Sequence, residues 1–225
     1  MGELPATSTK SRNAFDRSRT LQAPGSSLQC FPRLSNHQMT SDHTHKAPAA
    51  SLPIFEQLIH PDLNTDSNRT FYRHAARAIV MRGEQILMLF TERYNDYSFP
   101  GGGLDDGEDW CEGLKRELEE ETGAHGIRVL SEFARVDETR PHYKADYDQM
   151  HMISHYFVCD IADDLREARM EDYEIANGMR RVWINIHDAL AHNESVMALN
   201  EKKMGLSIQR ETLILRHLVK QLLAD

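Results

Sequence analysis

Residues 100–124 read PGGGLDDGEDWCEGLKRELEEETGA, and the fold turns on how this stretch is read. From Asp109 to Thr122, apolar Trp110, Leu114 and Leu118 recur at i, i+4 and i+8, which is a helix period. Gly123 stands where a left-handed residue would close that helix. The helix ends on a run of carboxylates, Glu117 and then Glu119 to Glu121. Positions i, i+3 and i+4 share a helix face, so Glu117, Glu120 and Glu121 stand together and Glu119 points elsewhere. Three carboxylates on one face repel one another, and they crowd the helix end where the macrodipole disfavours anions. A solvated helix face is the plain reading of such a run. The sharper reading is a divalent cation bridging the carboxylates, since hard oxygen donors suit Mg2+ or Mn2+. Arg116, one residue earlier, is placed to hold a carboxylate from the side as a bidentate pair.

Just upstream, Gly101, Gly102 and Gly103 permit tight turning and close approach of backbone to an anion. A cation site beside a glycine-lined approach points to phosphate chemistry, because a metal between carboxylate and phosphate oxygens neutralises charge and activates water. With these residues in register, the stretch resembles the Nudix box, the signature of the Nudix hydrolase family. That signature is G-x5-E-x7-R-E-U-x-E-E-x-G-U, with U aliphatic. Gly102, Glu108, Arg116, Glu117, Glu120, Glu121 and Gly123 match all of its fixed positions. Ala124 departs from the bulkier aliphatic usual at the last one, which is a packing site.

The resemblance implies an α/β fold, an α/β/α sandwich on a mixed β-sheet, with likeness extending over residues 68–223. It implies hydrolysis of a nucleoside diphosphate linked to another moiety. Carried onto this chain, Glu117, Glu120 and Glu121 would bind Mg2+ or Mn2+, joined by the Gly101 carbonyl as in similar proteins. Glu108 and Arg116 would orient the loop and the catalytic glutamates. Water activated by the metal, with Glu120 or Glu121 as base, would attack a phosphorus of the diphosphate. Some family members take the base from a later acidic loop residue, for which Glu171 and Glu174 are candidates here. The plain reading of both is solvated loop charge.

The flanks of the box fit this frame. Ile54–Ile59 is a short apolar patch, a strand or a helical turn. Two β-segments, 70–81 and 85–92, are joined by a turn at Gly83-Glu84. A short extended piece at Ser98–Phe99 precedes the box. Beyond it, 127–138, 151–160 and 180–184 read as strands. Residues 163–170 and 185–193 read as short helices, 194–203 as helical or irregular, and 207–223 as an amphipathic helix with Ile208, Leu215, Leu218, Val219 and Leu222 near one stripe. Interspersed strands and helices with hairpins require a mixed sheet.

The bulk numbers bound the rest. A length of 225 residues with 40% apolar and 27% charged residues suits a globular protein with a sizeable core. Residues 1–50 hold six Lys/Arg against three Asp/Glu, so of the formal net charge of −9 the remaining 175 residues carry −12. So acidic a body argues against sequence-independent nucleic-acid binding. Residues 1–50, rich in Ser, Thr, Pro and Arg, are expected to be a disordered extension, and 51–225 the domain. A transit peptide and a start at Met39 are the competing readings of that extension. Cys30, Cys111 and Cys159 suggest neither a disulfide framework nor a zinc site, so a reducing, cytoplasmic setting is expected. No apolar run approaches membrane-spanning length.

Substrate choice lies outside the box. Arg140, Tyr143 and Lys144, and Arg93 and Tyr97 ahead of the box, are candidates to hold phosphate or stack on a base. Rim packing is the plain alternative for each. An ADP-ribose-like or sugar-nucleotide substrate is favoured, and the expected partner is that small molecule, with a homodimer left open. The reading from a different class is a non-catalytic Nudix-like module that senses a nucleotide metabolite.

Overall fold

The computed structural model describes residues 53–63, 69–142, 146–199 and 204–223. The expected extension, residues 1–50, lies outside them. Among the described residues, nine strands and four helices follow in the order β1 (Ile54–Ile59), β2 (Thr70–Ile79), β3 (Met81–Arg82), β4 (Gln85–Thr91), β5 (Asp96–Ser98), β6 (Gly101–Gly103), α1 (Trp110–Thr122), β7 (Arg128–Pro141), β8 (Gln149–Asp160), α2 (Asp172–Ala176), β9 (Met179–Asn185), α3 (Ile186–Leu199) and α4 (Ile208–Leu222).

The strands form two sheets. The larger has the order β1-β7-β8-β2-β6, with β1 parallel to β7, β8 parallel to β2, and the other two pairings antiparallel. It is therefore the expected mixed sheet. The smaller is antiparallel and centred on β4, which pairs with β3 and β5 on one side and β9 on the other. The expected 70–81/85–92 hairpin is thus real only at its tip. Gly83-Glu84 joins β3 to β4, but β2 pairs along its whole length with β8. The physical reason is burial: a strand in parallel pairing needs cover on both faces, and the small residues Ala75, Ala76 and Ala78 allow it.

Cover on the two sides comes from different helices. Beneath α1, Leu114 and Leu118 pack on Ala76, Ala78, Val80, Leu87 and Phe157. On the opposite side, Ile186 and Ala189 of α3 and Ile214, Leu215 and Leu218 of α4 pack on Ile79, Ile86, Met88, Phe99 and Tyr156. The layers are helix, sheet, helix. Each fully buried Leu of α1 is worth about 1.5–3 kcal/mol of apolar transfer, so Leu114 and Leu118 suffice to fix which way the helix faces.

Two segments differ from expectation. Residues 163–170 are not helical; the short helix comes later, as α2. The segment instead runs without regular structure past the end of α1, where Arg166 N–H donates to the Gly123 carbonyl (2.8 Å) and Arg169 N–H to the Glu120 carbonyl (2.7 Å). Strand β7 runs three residues beyond 138, to Pro141. Helix α3 continues to Leu199, so the residues after 193 take the helical of their two expected forms that far.

Candidate active site on helix α1

Helix α1 is built to hold its glutamates still. Asp109 caps its N-terminus, accepting from Cys111 N–H (2.9 Å) and Glu112 N–H (3.4 Å). Gly123 closes the other end in the left-handed region, with φ of 69°. The carbonyls left over at the C-terminus are met by Arg166 and Arg169 N–H and by the Arg181 guanidinium, which donates to the carbonyls of Thr122 and Arg166. The helix has no basic residue in its own last turn. The cation that its dipole calls for arrives from β9 instead.

Arg116 organises the carboxylates. Its Nε and Nη2 donate to the two carboxylate oxygens of Glu108 (2.9 and 3.0 Å), the bidentate pair expected of it. Nη1 donates to Glu117 (2.9 Å) and Glu120 (3.4 Å), and Nη2 reaches the Gly103 carbonyl (3.4 Å). Glu108 also accepts from Asp105 N–H (2.9 Å), which ties the loop before the helix to the helix itself. The hydrogen bond from Arg116 holds the Glu108 carboxyl below its ordinary range. One guanidinium thus touches three of the four box glutamates.

The fourth, Glu121, is buried and accepts from Gly101 N–H (2.6 Å). Burial pushes its pKa well up, and the charges of Glu174 and Glu117 add to the shift while Arg77 opposes it. Burial also raises Glu117, against the pull of Arg116. The glycine strand makes this closeness possible. A Cβ at Gly102 would fall 2.5 Å from Glu117, and one at Gly103 2.5 Å from the Arg73 guanidinium on the strand's other face. The Gly101 carbonyl accepts from Arg77 Nη1 (2.8 Å), and a carbonyl has a second lone pair free for another partner.

Glu117, Glu120 and Glu121 therefore share one face with the edge strand, and Glu119 turns away to pair with Arg169 (2.9 Å). Their chemistry fits a hard divalent cation: carboxylate oxygens on one face, with Glu121 buried and Glu117 largely so. As they stand, no three acidic, imidazole or thiol side chains among the described residues converge closely enough to hold an ion. Arg116 draws Glu117 and Glu120 to itself.

Of the later acidic residues, Glu174 is not solvated. It is buried on α2, accepts from Tyr173 Oη (3.1 Å) and Glu171 N–H (2.8 Å), and its charge reaches Glu121. Glu171 is exposed. Among the substrate candidates, Tyr143 and Lys144 lie outside the described residues. Tyr97 packs between Phe90 and His192, with ring centroids 5.0 Å from each, and joins the core on the α3 side. Arg93 donates to the Asn177 side chain (3.0 Å), at the end of α2. Arg140 lies on the sheet face opposite α1, with its Nε buried and unpartnered. Sequence reasoning missed Arg73, Arg77 and Arg181. The signal was present for the first two: charges four residues apart on one face of an otherwise apolar strand.

A family model, the NUDIX domain, matches residues 72–203. The chain belongs to the Nudix family. It is a Nudix pyrophosphohydrolase, whose substrate is a small nucleotide derivative, and enzymes of this family generally use divalent metals. Among solved structures it is similar to the MutT NUDIX hydrolase from Burkholderia pseudomallei, with 21% identity over 52% of this chain and 85% of that one and a TM-score of 0.36. It is also similar to a NUDIX hydrolase from Nitrosomonas europaea, with 14% identity over 67% of this chain and 91% of that one and a TM-score of 0.45. No curated protein matches the chain. Among the described residues no helix is long and apolar enough to cross a membrane.

Proposed function

We propose that this protein hydrolyses a nucleoside diphosphate linked to another moiety, of the ADP-ribose or sugar-nucleotide kind, with Mg2+ or Mn2+. The observation that carries the reading is the Arg116 brace, which joins Glu108, Glu117 and Glu120 beside a glycine edge strand that itself holds Glu121. Glu117, Glu120 and Glu121, with the Gly101 carbonyl, would hold the cation. When bound, it would neutralise diphosphate charge and make a water nucleophilic.

The chain's own groups do the rest. Glu108 and Arg116 fix the rotamers of the glutamates, so little reorganisation is left for the moment of reaction. Glu120 is the most open of the three ligand candidates, with a side chain 38% exposed against 17% for Glu117, and is the better placed base for a solvent-borne water. Glu121 is tied to Gly101 N–H and holds the edge strand against α1. The test is a panel of nucleoside diphosphate derivatives incubated with Mg2+, with phosphate released by an added phosphatase as the readout. Turnover of at least one member is expected. Tight binding of one member with turnover of none would replace the enzyme reading with a metabolite sensor.

A further inference from the structure

On the sheet face away from α1, register puts three rows side by side: Arg140 with Met150 and Phe71, Glu138 with Met152 and Arg73, and Val136 with Ser154 and Ala75. Phe71, Ala75, Met150 and Met152 form a small apolar cluster of their own, which makes a floor. Arg73 and Arg140 stand over it. Arg73 reaches the face of Gly103 opposite to the side where Glu117 meets Gly102. Neither guanidinium has an ion pair among the described residues, and the one carboxylate nearby, Glu138, is already held by Arg210. The fully buried Ser154 Oγ is also unpartnered, as is Arg140 Nε.

This arrangement is costly as it stands. Arg140 is desolvated and feels the repulsion of Arg210, Arg77 and Arg73. Arg77 is occupied by the carbonyls of Phe99 and Gly101 and by Glu211. Two uncommitted guanidiniums and an unpaired hydroxyl over an apolar floor lack one thing, an anion with several acceptor oxygens. Phosphate suits that need, because guanidinium forks pair with its oxygens.

We infer that Arg73 and Arg140 form a substrate phosphate subsite on the face of the glycine strand opposite the glutamates. The inference rests on the proposed function for its substrate class. The phosphate comes either from the scissile diphosphate itself, reaching past the edge strand, or from a separate phosphomonoester on the substrate.

The experiment uses two dinucleotides that differ by one ribose phosphomonoester, assayed with Mg2+ on the wild type, Arg73→Gln and Arg140→Gln. Inorganic pyrophosphate is titrated into the same three proteins by calorimetry without metal. Each substitution is expected to raise KM about tenfold with a smaller change in kcat, and to weaken pyrophosphate binding about as much. An equal KM rise on both substrates assigns the subsite to the scissile diphosphate. A rise confined to the phosphorylated member assigns it to the phosphomonoester. KM within twofold of wild type on both substrates, with unchanged pyrophosphate affinity, overturns the inference. If neither dinucleotide is turned over by the wild type, the proposed function fails for this class, and the pyrophosphate titration alone decides the subsite. Arg73 is exposed, so its variant remains informative if Arg140→Gln does not fold. Arg73→Lys should recover only part of the affinity, because an ammonium cannot fork.

Discussion

Arg116 shows what a single side chain contributes. Its guanidinium spans Glu108, Glu117 and Glu120, so like charges that would otherwise repel are set at fixed positions. A lysine has the charge but not the fork. Arg116→Lys should therefore cost about tenfold or more in kcat while thermal unfolding shifts by only a few degrees. Steady-state kinetics and a melting curve on one preparation check both halves. The residue spacing in RELEEETG was enough to separate Glu119 from its neighbours, because helix periodicity alone assigns faces. It could not show that Glu121 would be tied to a backbone N–H, since that contact joins residues 20 positions apart across two elements. Nor could it separate Tyr97, a packing residue, from Arg140, a desolvated cation. Loop-adjacent aromatic and basic residues look alike until burial is known.

At the scale of elements, α1 is held by its apolar underside and its two ends. Leu118→Ala should destabilise by about 2–5 kcal/mol, measured by denaturant unfolding, because the site is fully buried and closely packed. Gly123→Ala should cost about 2 kcal/mol or more in the same measurement. The left-handed backbone disfavours a side chain, and the added Cβ would strike the Arg166 carbonyl. Residues 163–170 read as a helix in sequence because their polar, charged composition suits a helix surface. In the structure their backbone N–H groups are spent on the carbonyls of α1, which local propensity cannot anticipate. On the other side of the sheet, β5 offers a pH test. Burial, with the Glu211 charge, lifts Asp96 from 3.8 to about 6. In the folded state its proton is kept to higher pH than in the unfolded chain, so stability falls as pH rises from about 4 through 6. Asp96→Asn should remove that fall and gain about 1–3 kcal/mol at pH 8 relative to pH 4.

For the whole molecule, the layers place the glycine edge strand at the rim of the larger sheet, with carboxylates on one face and guanidiniums on the other. The sandwich was legible from the box and the alternating segments. The division into two sheets was not, because β2, β3 and β4 read as one hairpin and only long-range pairing with β8 and β9 tells them apart. Arg210 deep in the core, paired with Glu138 and Glu211, was likewise invisible in a helix that reads as simply amphipathic. The first strand of the sheet begins at Ile54.

The proposed seat of catalysis is the glutamate face of α1. Its most direct test is kcat for Glu120→Gln and Glu121→Gln, each assayed alone at saturating Mg2+ on the best substrate of the panel, with folding checked by melting. A loss well beyond tenfold is expected for each, since cation ligands and bases contribute at least that much. A folded Glu120→Gln or Glu121→Gln enzyme that keeps kcat within tenfold of wild type would contradict it.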